Sequence, residues 1–112
     1  MPKKYRLSGE ELRGLSGRPA QSAGKRIHGR FFSLLVVPVG RGNAKCACVV
    51  SKKTAAKAVD RNSIKRRFRN ILATRIVREQ KPLALVFSAK RDAGGASFAE
   101  LEHDIDELFS KL

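Results

Sequence analysis

The segment Ser51–Arg69 (SKKTAAKAVDRNSIKRRFR) carries Lys52, Lys53, Lys57, Arg61, Lys65, Arg66, Arg67 and Arg69 against a single carboxylate, Asp60, and Arg75 follows soon after. Side chains of these types at this density do one kind of chemistry well. They hold phosphate oxygens, and arginine does so through paired hydrogen bonds from a planar fork. Arg61, Lys65 and Arg69 recur every four residues, which stacks them along one helical stripe with Asn62 and Arg66 beside it. Like charges at that spacing repel in an isolated helix, so the pattern makes best sense with a polyanion bound against it. Asn62 either reaches sugar or base edges or caps the helix. Arg67, on the far flank of the apolar stripe, either joins the contact or is simply solvated.

Other chemistries are poorly served. A protein nuclease needs general acid–base groups, and the chain offers no H-x-x-x-D or paired-histidine arrangement; His28 and His103 have no evident partner. Cys46 and Cys48 leave the same face of a strand, a poor geometry for a disulfide, and no second Cys/His cluster completes a zinc site. They read as small buried residues. The acids from Glu100 to Glu107 read as the solvated face of a helix rather than as metal ligands.

The elements that must position the cations follow from periodicity. The basic segment is the end of a strand up to Lys53 and a helix over roughly residues 61–77, whose Ile64, Phe68, Ile71 and Leu72 form a stripe to be buried. Asp60 suits its N-cap or first turn. Upstream, Phe31–Val39 alternates Phe32, Leu34 and Val36 on one face with Phe31, Ser33, Leu35 and Val37 on the other, which makes Phe32 core and Phe31 a groove residue. A turn at Gly40–Asn43 then returns Lys45–Ser51 as an antiparallel hairpin partner. Glu10–Leu15 is a short helix limited by glycines, and Gln21–Arg30 is a mobile approach to the first strand. Pro82 opens a strand over Leu83–Lys90, Arg91–Gly95 is a turn, and Ser97 with Glu100 forms a capping box. The last helix buries Phe98, Leu101, Ile105, Leu108, Phe109 and Leu112. The expectation is an α+β fold, a single domain over residues 1–112 in the order α-β-β-α-β-α, with a small mixed sheet packed by helices.

Charge places this domain among nucleic-acid-binding proteins. Of the net +14, residues 1–50 contribute +8 and residues 51–78 contribute +9, while residues 92–112 carry six acids against one lysine. Segregation of this kind is the footprint of a phosphate-binding face, whereas a general solubility device would scatter both signs. A hydrophobic content of 42 % separates the chain from disordered basic tails. No run approaches the roughly 18 apolar residues of a membrane span and no signal-peptide core is present, so a cytoplasmic protein without a membrane partner is expected. A helix–turn–helix DNA binder fits poorly because strands flank the basic helix, so DNA is not the expected partner. A structural ribosomal RNA-binding protein shares this size and charge and stands as the alternative.

Val50-Ser51-Lys52-Lys53, followed by Lys57-Ala58-Val59-Asp60-Arg61-Asn62 and then Lys65-Arg66 and Arg69, closely resembles the protein subunit of bacterial ribonuclease P. That family carries VSKK and a K-A-V-x-R-N-x-x-K-R-x-x-R signature, with a G-R-x-F segment (here Gly29, Arg30 and Phe32) ahead of its hairpin; the resemblance covers roughly residues 5–112. It implies a protein without a hydrolytic centre, serving a large RNA subunit that cuts the 5′ leader from precursor tRNA with magnesium ions, the protein alone binding no cofactor. Lys52, Lys53, Lys57, Arg61, Asn62, Lys65, Arg66 and Arg69 would then face the catalytic RNA. The leader would lie in a cleft at positions matching Leu12, Ser33 and Leu35, with Phe31 added by strand parity. The resemblance also implies a left-handed strand–helix–strand crossover, opposite to the usual hand. The chain departs from the family where Leu12 and Ser16 replace usual aromatics, where the segment between Ser16 and Phe31 is longer, and where Ala47 replaces a glycine. Stacking contributes about 1–3 kcal/mol per base, so the departures bear on leader binding. With six to ten phosphates contacted, affinity should fall on the order of 10³–10⁵ between 50 and 200 mM salt.

Overall fold

The computed structural model describes residues 3–15, 24–39 and 42–112. Its regular elements are α1 (Gly9–Leu15), β1 (Lys25–His28), β2 (Phe32–Pro38), β3 (Lys45–Val49), α2 (Ala58–Arg75), β4 (Leu83–Ala89) and α3 (Phe98–Ser110), with 3₁₀ turns at Lys3–Tyr5, Ile76–Arg78 and Arg91–Gly95. The four strands form one mixed sheet in the order β1-β2-β4-β3. β1 and β4 flank β2 in antiparallel pairing, and β3 runs parallel to β4 after the crossover through α2. The α+β class and the mixed sheet agree with the sequence reading.

Two expectations about the sheet are corrected. The approach Gln21–Arg30 was expected to be a mobile loop, yet Lys25–His28 pairs with Ser33–Val36 as an edge strand. Residues 16–23, including Ser16, lie outside the described residues. The expected hairpin between Phe31–Val39 and Lys45–Ser51 is absent, because β4 lies between them. Burial explains the order. β2 and β4 are apolar and nearly buried along their whole length and take the centre, whereas β3, with Lys45 and an exposed Val49, tolerates an edge.

The edge of β3 is not left open. Arg6 bridges to Cys46 in parallel, the Leu7 N–H donates to the Cys46 carbonyl at 3.0 Å, and the Asn43 amide nitrogen donates to the Lys4 carbonyl at 2.7 Å. α1 starts with a capping box that sequence inspection missed. The Glu11 N–H donates to Ser8 Oγ, and Glu11 Oε1 accepts from the Ser8 N–H, each at 3.0 Å.

The helices α2 and α3 cover one face of the sheet. There Phe32, Phe68 and Phe87 meet with ring centroids 4.9–6.3 Å apart, surrounded by Leu34, Ile64, Ile71, Leu72, Leu85, Leu101 and Ile105. On the opposite face Leu35, Val37, Ala84 and Val86 form a smaller cluster against which Leu7 and Leu12 pack. The capping box of α3 is as expected, with Ser97 Oγ accepting from the Glu100 N–H at 3.1 Å and Glu100 Oε1 from the Ser97 N–H at 3.0 Å. Its apolar stripe is corrected at one end, since Phe98 is 45 % exposed. As the first residue of the helix it lies ahead of the turn that reaches the core.

The acids of α3 are not a uniform solvated face either. Asp104 is buried at 3 % exposure. Its carboxylate accepts from the backbone N–H groups of Arg30 (2.7 Å), Phe31 (3.0 Å) and Phe32 (3.1 Å), pinning α3 to the start of β2. Gly29 belongs to the same lock, because a Cβ there would stand 2.6 Å from Asp104 Oδ1. The Gly-Arg-x-Phe segment is therefore the chain's socket for a carboxylate.

Candidate nucleic-acid interface

α2 presents the cations. Lys57 is its N-cap without a side-chain cap bond, and Asp60 sits in the first turn, where a carboxylate suits the positive end of the helix. Ile64, Phe68, Ile71 and Leu72 are buried as the periodicity predicts. This fixes the rotation of the helix and leaves Lys57, Asn62, Arg66 and Arg69 exposed, with Arg61 and Lys65 half-buried on the flank. Lys52 and Lys53 are exposed in the turn that leaves β3. Among the described residues none of these cations forms an ion pair with a carboxylate; the acid-paired ones are Lys45, Arg75 and His103. The charge on this face is thus left unneutralised by the protein itself.

Individual side chains divide the work. One guanidinium nitrogen of Arg61 donates to the carbonyls of Ala55 (2.9 Å) and Ala56 (2.8 Å), which ties the loop carrying Lys52 and Lys53 to the helix. Arg67 donates to the Ala96 carbonyl at 3.2 Å, so it braces α2 against the start of α3. Arg75 is withdrawn from the cationic face by Glu102 and Asp106, both at 2.9 Å. Hydrogen bonding to Asp106, then Glu102, raises its pKa still further despite partial burial. The segregation of charge seen in the sequence is therefore completed in three dimensions by α3, whose Glu102 and Asp106 neutralise Arg75 of α2.

A groove of about 210 Å³ runs past the β3 edge, lined by Arg6, Leu7, Leu12, Cys46–Cys48, Lys65, Phe68 and Arg69. Two predicted sets meet here, with Leu12 of α1 on one wall and Lys65 and Arg69 of α2 on the other. Burial pushes the Cys48 thiol up to about 12, opposed by the nearby charges of Lys65 and Arg69, and burial likewise pushes Cys46 up to about 12. Both cysteines are free thiols; Cys46 is buried as expected, whereas Cys48 is only half-buried at the groove.

The other predicted groove residues are placed less openly. Ser33 and Leu35 are buried, and Leu35 belongs to the cluster that Leu12 packs against. Phe31 does not join them. It is 4 % exposed in the main core, on the α3 side, with the Arg30 guanidinium 5.0 Å from its ring centroid. Parity failed because Phe31 precedes the first residue of β2, where strand alternation does not yet hold. Sequence reasoning missed Arg6 and Leu7, which line the groove through a single bridge to Cys46 and so leave no periodic signal.

A small mixed sheet backed by two helices, with an unneutralised cationic helix flank beside it, defines a nucleic-acid-binding α+β domain. Residues 16–112 match the family model described as Ribonuclease P. Relatives over nearly the whole chain are the ribonuclease P protein component of Acidothermus cellulolyticus, 32 % identical over all of this chain and 91 % of its own length, and that of Picosynechococcus sp., 31 % identical over 96 % and 87 %. The fold is shared with the ribonuclease P protein from Thermotoga maritima, with a TM-score of 0.78 and 20 % identity over 96 % of both chains. The chain belongs to the ribonuclease P protein component family. Its activity is that of an RNA-binding subunit in tRNA processing, and the structural ribosomal alternative is not favoured.

Proposed function

We propose that this protein binds the ribonuclease P RNA through Lys52, Lys53, Lys57, Arg61, Asn62, Lys65, Arg66 and Arg69, and supports removal of the 5′ leader from precursor tRNA. The observation that carries the reading is the set of cations on α2 and the β3 exit, held on one face without carboxylate partners among the described residues. Cations so placed screen repulsion between two RNA molecules brought together, so less free magnesium is needed to assemble them. Bond cleavage is assigned to the RNA subunit and its magnesium ions. The chain's own acids do not suit such an ion: among the described residues no cluster of three or more His, Cys, Asp or Glu is placed to hold one, and Asp104 is occupied by backbone N–H groups.

The leader is proposed to run along the groove and the sheet face beside α1, against Leu12, with the buried Leu35 and Ser33 of β2 forming the floor beneath. Phe31, in the main core, is not carried forward as a leader contact. Among the described residues no helix is long and apolar enough to cross a membrane, and the proposed setting is the cytoplasm, where precursor tRNA is made. The test is cleavage of a precursor tRNA by the cognate RNA subunit at limiting magnesium, with and without this protein. Added protein is expected to raise the rate of 5′ cleavage; an unchanged rate would refute the reading.

A further inference from the structure

α1 stands over the sheet on a narrow footing. Gly9, Glu10, Glu11, Arg13 and Gly14 are exposed, and Leu12 is half-buried against the cluster of Leu35, Val37, Ala84 and Val86. An ion pair supplies a second tie, because Glu11 Oε2 accepts from Lys45 Nζ at 3.2 Å. Lys45 is opposite Ala84 in the register of β3 with β4, and Ala84 lies in the cluster beneath Leu12. Lys45 therefore rises from the face of the sheet that α1 covers.

Glu11 is engaged at both oxygens. Oε1 closes the capping box by accepting from the Ser8 N–H at 3.0 Å, while Oε2 takes the Lys45 ammonium. Hydrogen bonding from the Ser8 N–H, then from Lys45, holds its carboxyl below the usual carboxylate range, so the pair stays charged at neutral pH. One carboxylate thus joins the start of α1 to the edge of β3, directly beside Leu12. Leu12 lines the groove whose other wall carries Lys65 and Arg69. Leucine has no ring on which a base could stack, so its contribution is van der Waals contact. A radial gap of roughly 0.5–1 Å forfeits about a quarter to a half of such contact. What Leu12 contributes therefore depends on how closely α1 is tied to β3.

We infer that Glu11 and Lys45 are positioning residues for the leader: their ion pair holds α1 at the β3 edge and so sets the width of the groove that Leu12 lines. The inference rests on the leader occupying that groove. The test is the affinity of the holoenzyme, assembled from this protein and the cognate RNA subunit, for precursor tRNA with its leader and for the same tRNA without one. Wild type is compared with Glu11→Gln, Lys45→Gln, the double variant, Lys45→Arg and Leu12→Ala, each shown by its melting transition to be folded at the assay temperature. Glutamine at position 11 keeps an oxygen for the Ser8 N–H, so the cap survives and only the ion pair is lost.

Glu11→Gln, Lys45→Gln and the double variant are each expected to weaken binding of the leader-bearing precursor by the same factor, about two- to fivefold for an exposed pair. Leaderless tRNA should be bound as by wild type, and Lys45→Arg should keep the affinity for both. A loss with Lys45→Gln beside unchanged or tighter binding with Glu11→Gln makes Lys45 a direct contact of the leader and overturns the inference. Losses that add in the double variant, or that extend equally to leaderless tRNA, overturn it too. Unchanged binding by all the pair variants beside a loss for Leu12→Ala overturns the inference and leaves the groove standing. Unchanged binding for Leu12→Ala as well refutes the placement of the leader in the groove, and the inference with it.

Discussion

Removing the Asp104 carboxylate strips the acceptor from three successive backbone N–H groups at the mouth of β2. The Phe31 and Phe32 donors are buried, while the Arg30 donor is only part-buried and can turn to water. Each buried orphan costs about 1–3 kcal/mol, so Asp104→Ala should lose roughly 4 kcal/mol. That is a large share of the 5–15 kcal/mol typical of a domain. With a urea m-value of roughly 1–1.5 kcal/mol per molar for a chain of this size, the midpoint should fall by about 3 M. Asp104→Asn keeps one acceptor oxygen and should fall about half as far, which supplies a measurable variant if the alanine form does not fold. Gly29→Ala should be destabilising for the same reason, since its Cβ would meet Asp104 Oδ1 at 2.6 Å and Oδ2 at 2.8 Å. In an Asp104→Ala background that clash is gone, and the cost of Gly29→Ala should shrink to the ordinary price of changing a loop glycine. A double-mutant cycle by urea denaturation measures this coupling. The reasoning is refuted if Asp104→Ala stays within 1 kcal/mol of wild type, or if Gly29→Ala costs the same in both backgrounds.

Arg75→Ala should lower stability by about 0.5–1.5 kcal/mol, because its ion pairs with Glu102 and Asp106 are partly exposed and largely screened. RNA affinity measured on the same variant should be unchanged, since the protein already neutralises that charge; a clear loss of affinity would contradict the assigned division of the arginines. Cys46 and Cys48, both pushed up to about 12 by burial, should stay protonated and alkylate slowly in the native protein at pH 8, yet react readily in denaturant. Their raised folded-state pKa values stabilise the fold below the ordinary thiol pKa, and that contribution is lost as pH climbs from about 9 towards 12. Rapid native alkylation of Cys46, which is 1 % exposed, would contradict its burial.

What could be read from the chain follows from the range over which each signal acts. α2 was legible because eighteen residues gave both an apolar stripe and a cationic one, and burying Ile64, Phe68, Ile71 and Leu72 fixes where Arg66 and Arg69 must point. The α3 capping box was equally local, set by Ser97 and Glu100 three residues apart. β1 was not legible. Its four residues bury only Ile27, and the strand exists because β2 offers a partner, not because Lys25–His28 prefers extension. Nor could the hairpin expectation succeed, since both candidate partners were apolar on both faces and alternation chooses among such strands poorly.

Asp104 shows the deepest limit. On a helix wheel it is one acid among five, and its burial depends on backbone donors more than seventy residues away that carry no side-chain signature. The Gly-Arg-x-Phe segment held the complementary half of that information: a glycine where a Cβ would strike the carboxylate, and a phenylalanine whose ring enters the core beside Phe68 and Phe87. A segment that carried part of the family resemblance is thereby explained by packing. The cations that packing leaves unspent, from Lys52 and Lys53 along α2 to Arg69, are the ones on which an RNA partner can act.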